Sequence, residues 1–295
     1  MKKLAFLIIL WLTVSCKGDE RGFDASGTFE AREVLISAEV SGQIRALAVE
    51  EGVPLSKGAA VGWIDSLQLH LRKKQLQAQR DAILARRPDV ATQLATYEVQ
   101  LETAQRDLQR IQNLRSAKAA TEKQLDDARA KVAGLQRQME AHRSSLDVST
   151  RGLVSETLPL MAQIEQINDQ LRKTRIVNPV EGTVLARYAE PFELASPGVP
   201  LYKIADLSTL ELRAYITGAQ LAEVRLGQEV AVFVDTGKGD FRKYEGRVSW
   251  ISDKAEFTPK SVQTKDERAN LVYAIKVTLE NDGYLKIGMY GEVDF

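Results

Sequence analysis

The sequence predicts an α+β fold: an antiparallel coiled-coil α-helical hairpin inserted between two halves of a β-sandwich, followed by a small antiparallel β-barrel. Three observations carry this. Two Gly/Pro-punctuated segments, "SGQIRALAVEEGVPLSKGAAVGWID" (Ser41 to Asp65) and "NPVEGTVLARYAEPFELASPGVPLYKIADL" (Asn178 to Leu207), are variants of one pattern. The long stretch between them places apolar residues at alternating steps of four and three. From Asp206 onward the apolar residues alternate with period two between turn signals.

The chain has 295 residues, 44% hydrophobic and 27% charged, a globular composition that argues against wholesale disorder. Forty basic side chains balance forty acidic ones, so no charge excess points to nucleic acid or an anionic membrane surface. Aromatic residues are only 6%, which suits a chain whose length is largely thin coiled coil.

The first element is a leader. "MKKLAFLIILWLTVSC" has Lys2 and Lys3, an apolar run from Leu4 to Val14, then Ser15 and Cys16. That run is too short to span a bilayer, which needs about 20 residues, and matches a secretory signal peptide. Cys16 is the only cysteine, so no disulfide forms within the chain. Its position resembles a bacterial lipobox, with Thr13 at the usual leucine position; this implies lipidation of Cys16 and a protein that acts outside the cytoplasm.

The rod comes next, over residues 66–175. A first helix is predicted from Ser66 to Arg87, ended by Pro88. Val90, Leu94, Tyr97, Leu101, Ala104, Leu108 and Ile111 then form a coiled-coil seam, which resumes at Leu125, Ala128, Val132, Leu135, Met139, His142 and Leu146. The intervening "RSAKAAT", 115–121, is the turn, and Thr121 with Gln124 has the form of a capping box. Equal arms of 28 residues (Asp89 to Ser116, Thr121 to Val148) place the tip near Lys118. "STRGLVSETLP", Ser149 to Pro159, is expected to interrupt the descending arm as Pro88 interrupts the ascending one. A lower helix then runs from Leu160 to Arg175, making a two-tier rod.

Residues 17–65 are expected to hold N-terminal strands and the first half of the sandwich, and 176–206 the second half; each half is too small to bury a core alone, so the two are expected to close on each other. Residues 207–295 are expected to supply the barrel, with "TGAQLAEVRLGQ" (Thr217 to Gln228) as a short helix within it. The polar stretch Phe257 to Asn270 has two readings: a solvated loop, or a contact with a transporter or a neighbouring copy.

Chemistry is sparse. His70 and His142 are the only histidines and have no Cys or carboxylate company at metal-ligand spacing. There is no G-x-x-x-x-G-K-[ST] phosphate loop. No nucleophile, acid–base pair or cofactor motif emerges, so a non-enzyme without cofactor or metal is expected.

"VSGQIRALAVEEGVPLSKGAAVGWID" and "RIVNPVEGTVLARYAEPFELASPGVPLYKIADLSTLELRAYI" resemble the half-motifs of a lipoyl-like domain split by a helical hairpin. "GRVSWISDKAEFTPKSVQTKDERANLVYAIKV", Gly246 to Val277, resembles the barrel of the subfamily that serves ABC transporters. Together they resemble the periplasmic adaptor, or membrane fusion, family (HlyD-like) over essentially the whole mature chain. Phe192 stands where the family has Gly in its E-P-G-E turn. Lipoyl carriers bear a modified lysine in the turn that the hairpin here replaces.

The resemblance implies an adaptor of a tripartite efflux or type I secretion system. It would be anchored by lipid to the inner membrane in the periplasm and assembled with itself as a ring, expected as a hexamer. Its partners would be an inner-membrane ABC-type transporter and a TolC-like outer-membrane channel. The family's tip pattern for the channel is Arg, Leu four residues on, and Ser seven further; it falls here on Arg110, Leu114 and Thr121. Lys118 replaces the family's tip glycine and Ala120 a larger apolar residue. A coiled-coil scaffold that binds no channel, or a lipoyl-type carrier module, are the alternatives.

Overall fold

A computed structural model describes residues 22–237, 240–257 and 271–295. The expected leader with Cys16, and the polar stretch from 258 to 270, lie outside the described residues. Five strands come first: β1 (Ala25–Glu30), β2 (Glu33–Ser37), β3 (Gly42–Leu47), β4 (Pro54–Leu55) and β5 (Ala60–Ile64). The rod follows as α1 (Leu67–Leu84), α2 (Val90–Ser116) and α3 (Glu122–Lys173). Then come β6 (Arg175–Val177), β7 (Gly182–Arg187), β8 (Leu194–Ala195), β9 (Pro200–Ala205) and β10 (Thr209–Thr217). The chain finishes with β11 (Glu229–Asp235), β12 (Phe241–Phe257), β13 (Leu271–Glu280) and β14 (Tyr290–Asp294).

The two β segments do close on each other. They form two four-stranded sheets, β2-β9-β7-β4 and β6-β5-β3-β8, each drawing two strands from before the rod and two from after it. Ile44 and Val184 lie in one buried core with Leu47, Val49, Ile176, Leu201, Tyr202 and Ile204. The halves are related by a constant shift: 184 less 44 and 192 less 52 both give 140. Backbone bonds obey it, for Gly52 N–H donates to the Val184 carbonyl (2.9 Å) and Phe192 N–H to the Ile44 carbonyl (2.7 Å). Gly58 N–H donates to Asn178 (2.7 Å) and Gly198 N–H to Ala38 (2.9 Å). Each half satisfies the other's loop amides, so neither is complete alone.

One buried polar group ties the halves at side-chain level. Asn178 is fully buried. Its Nδ2 donates to the carbonyls of Ser56 (3.0 Å) and Leu55 (3.4 Å), and its Oδ1 accepts from the Tyr202 hydroxyl (3.1 Å). Burial pushes the Tyr202 phenol up to about 12, keeping it in the donating form.

At the sandwich the rod leaves and returns side by side: β5 pairs with β6, and Ile64 N–H donates to the Thr174 carbonyl (2.8 Å). Asp65 caps the exit by accepting from Leu67 N–H (2.8 Å) and pairing with Arg45. The ascending arm is interrupted at 85–89 as the sequence predicts, and Asp89 caps α2 through Thr92 N–H.

The descending arm departs from expectation. It is a single helix of 52 residues, with Gly152 and Pro159 inside it, about 78 Å long. An interior proline costs about 3 kcal/mol. Two facts offset that here. Pro159 and Ser155, whose carbonyl it leaves unpaired, are exposed on the rod surface. The seam also runs past them through Thr150, Leu153, Thr157, Leu160, Ile164, Ile167 and Leu171, all buried or half-buried. Its alternation of threes and fours shows one fault, two successive fours at His142–Leu146–Thr150, a stutter that shifts the phase of the seam. That fault lies opposite the ascending break, where the seam's partner changes from α2 to α1.

The barrel also differs from expectation. It closes in the order β1-β10-β13-β12-β11-β14, so its sixth strand comes from residues 25–30 and not from 207–295. β1 fits because Phe29 points into the core with Leu210, Leu212, Ile216, Val232 and Ile275, and because Gly27 lets the backbone of β10 come close: a Cβ there would overlap the Arg213 carbonyl. The expected short helix is reduced to a 3-10 turn, Gln220–Ala222, with Gly227 at φ 83° ending the segment.

Candidate functional site at the hairpin tip

Every sequence-predicted contact residue in the described region lies at the far end of the rod. α2 ends in a Schellman turn: Lys118 N–H donates to the Arg115 carbonyl (3.0 Å) and Ala119 N–H to the Leu114 carbonyl (2.8 Å). The residue at the left-handed position of such a turn is usually Gly; here it is Lys118, at φ 60°. The tip thus keeps the backbone shape a glycine would allow while carrying a cation at its apex.

Thr121 begins α3. Its Oγ1 accepts from Gln124 N–H (3.2 Å), while the Gln124 Oε1 accepts from Thr121 N–H (2.8 Å) and the Thr121 hydroxyl (3.1 Å). The capping box expected from the sequence is complete. Both hydrogen-bonding functions of this hydroxyl are engaged within the chain.

Arg110 and Leu114 are one helical turn apart on a common face of α2. Leu114 is 44% exposed, three residues beyond Ile111, the last position of the seam on this arm. Arg110 pairs with Asp107 (2.9 Å) with 70% of its own side chain exposed. Such an exposed pair is worth at most about 1 kcal/mol, so the guanidinium is free to exchange Asp107 for an external acceptor.

Sequence reading missed one member of the apex. Arg115 donates through Nε (3.1 Å) and Nη2 (3.0 Å) to Glu122 Oε2, bridging the two arms across the turn. The signal was present: Ile111 plus four falls on Arg115, so the seam ends in a charge, and an acidic residue waits in the first turn of the next helix. His142 needs no catalytic role, since it packs against Tyr97 across the seam with ring centroids 5.3 Å apart.

A shallow groove of about 580 Å³ runs along α1, lined by Gln68, Leu71, Arg72 and Gln75 among others, with no nucleophile or acid–base pair. Among the described residues no cluster of His, Cys, Asp or Glu is set to hold a metal, and no helix is long and apolar enough to cross a membrane.

The whole described arrangement has relatives. No family model matches the chain. It is 30% identical over 293 residues to the UPF0194 membrane protein YE2891 of Yersinia enterocolitica, covering 91% of this chain and 88% of that protein. It is 28% identical over 291 residues to a UPF0194 membrane protein of Citrobacter koseri, covering 92% and 87%. Among solved structures it is similar to MacA from Actinobacillus actinomycetemcomitans, with a TM-score of 0.53 and 22% identity over 91% of this chain and 76% of that one. At that identity the likeness concerns the fold.

Proposed function

We propose that this chain, which belongs to the family of UPF0194 membrane proteins, is the adaptor subunit of a tripartite efflux or type I secretion system. In this reading it stands in the periplasm on a lipid anchor at Cys16 and links an inner-membrane ABC-type transporter to a TolC-like outer-membrane channel. Sandwiches and barrels of neighbouring copies, six in the expected ring, surround the path, and the hairpins reach outward. The chain does no chemistry on its cargo; it seals and relays.

The observation that carries this reading is the combination of reach and apex. A self-capped turn at the end of a helix about 78 Å long presents Leu114 half-exposed beside a loosely held Arg110. An apolar anchor flanked by a cation suits the groove between helices of a channel, where leucine is desolvated and arginine finds a carboxylate or main-chain carbonyl. Thr121 contributes by fixing the turn.

A photo-crosslinking amino acid placed at Ala119 in cells tests this. Capture of an outer-membrane channel is expected, and Arg110→Glu with Leu114→Asp should abolish it while helix content stays unchanged. Capture that persists in the double variant, or of nothing but a second copy, would leave the scaffold reading in its place.

A further inference from the structure

Four departures from ideal coiled coil meet at one level of the rod, roughly halfway along α3. The ascending arm has no helix between Ala85 and Asp89. Opposite it, Gly152 carries no side chain contact and Pro159 removes one rung of the α3 ladder, leaving the Ser155 carbonyl to water. Two seam positions there, on either side of Leu153, are threonines. Thr157 is 3% exposed and donates back to the Val154 carbonyl (2.7 Å), a bond that favours bending; Thr150 Oγ1 is buried with no partner among the described residues. The stutter at Leu146–Thr150 locally unwinds the coil at the same place. Across the arms a single ion pair, Arg86–Glu156 (3.0 Å), both side chains more than half exposed, spans the gap.

Above and below, the packing is of a different kind. The upper tier interlocks Leu94, Ala104, Leu125 and Val132, and the lower tier Leu76, Ile164 and Ile167. Two stiff bodies are thus joined by one continuous helix with a missing rung and by one five-residue link. We propose that the rod is jointed at this level: the upper tier, carrying the tip, swings on the lower tier about Gly152–Pro159, with the 85–89 link opening and closing on the other side. With about 48 Å of helix beyond the joint, a bend of about 10° carries the tip about 8 Å. The joint lets the apex search for or follow a partner without disturbing the sandwich, and it exists whether or not that partner is a channel.

Spin-label distances on the whole chain test it. With Cys16→Ser removing the only native thiol, labels at Gln79→Cys and Gln100→Cys straddle the link, about 32 Å apart along the rod. A control pair, Gln93→Cys and Gln112→Cys, lies within the upper tier. The straddling pair is expected to show a distribution at least twice as wide as the control. Pro159→Ala with Gly152→Ala, which restores the rung and raises helix propensity, should narrow it to the control width. Pro159→Ala alone, the gentler change, should narrow it in part. A straddling distribution as narrow as the control, or one whose width survives both substitutions in a protein of full helix content, overturns the joint.

Discussion

Phe192 occupies, in the second half of the sandwich, the place that Gly52 occupies in the first. Both donate N–H to the equivalent carbonyl of the other half, and both adopt left-handed backbone, at φ 77° and 82°. A side chain in that conformation costs about 1–2 kcal/mol, and the Phe192 ring, 71% exposed, recovers little through burial. Replacing it with Gly relieves the strain but gives the unfolded chain more freedom. Phe192→Gly is therefore expected to raise stability by about 1 kcal/mol, seen as a higher urea midpoint with unchanged slope. A lower midpoint would mean that the ring has a packing role.

The pairing of Tyr202 with Asn178 makes a second prediction. Tyr202→Phe leaves a buried amide oxygen without its donor, which should cost about 1–3 kcal/mol. The pH dependence follows from a folded pKa raised to about 12 by burial, against about 10 unfolded. The stabilisation is complete below the unfolded value and disappears as pH rises through the window between the two. Thermal melts should show that alkaline decline in the native chain, and Tyr202→Phe should flatten it.

Acid should loosen the rod at both of its carboxylate caps. The Leu67 N–H, with Arg45, lowers the Asp65 pKa, and the Thr92 hydroxyl and N–H lower that of Asp89. Depressed carboxylates stabilise above their unfolded pKa, near 3.8, and lose that contribution as pH falls through the lower folded value. Helix content followed by circular dichroism should drop in this acid window. Asp65→Asn with Asp89→Asn should start lower and respond less to pH.

Thr121 can be divided into its cap and its surface. Thr121→Ala removes the acceptor for Gln124 N–H and should cost about 1 kcal/mol. Thr121→Ser keeps the capping box and should be close to neutral. If crosslinking from Ala119 tracks stability across these two variants, the residue acts through the turn; loss of capture in the serine variant would assign it a direct contact through its methyl group.

Gly27 is where the barrel admits its first strand. Any Cβ at this position collides with the β10 backbone at Arg213, so Gly27→Ala should displace β1. Amide exchange in 25–30 and in the facing edges of β10 and β14 should accelerate, while the sandwich and rod remain protected. Unchanged protection would show that β10 can yield.

The rod was legible because a coiled-coil seam is a local, periodic signal: Thr121–Gln124, Asp89 and the tip at Lys118 all follow from spacing alone. Pro159 misled for an equally physical reason. Its local preference against helix is real, but the seam on either side outweighs it, and Thr150 and Thr157 hid the seam from a reading that sought only apolar residues. The sandwich halves were recognisable as variants of one pattern, while their register, Gly52 onto Val184 and Phe192 onto Ile44, depends on contacts more than a hundred residues apart. β1 could not be placed in the barrel from the sequence, because nothing in "ASGTFE" indicates that its neighbours are Arg213 and Tyr290. At the tip, Arg110 and Leu114 could be placed on one helical face, but the Arg115–Glu122 bridge emerges only when the two arms are brought together.

Because β1 opens the described chain and β14 closes it, the architecture is nested like brackets: barrel outside, sandwich within, rod innermost. A polypeptide that emerges amino end first can wind the rod once Lys173 is out and knit the sandwich by Ala205, whereas β1 finds one neighbour at β10 and lacks the other until β14 arrives. Until β14 is in place, one edge of β1 has no partner strand, and such an edge is open to pairing with another chain.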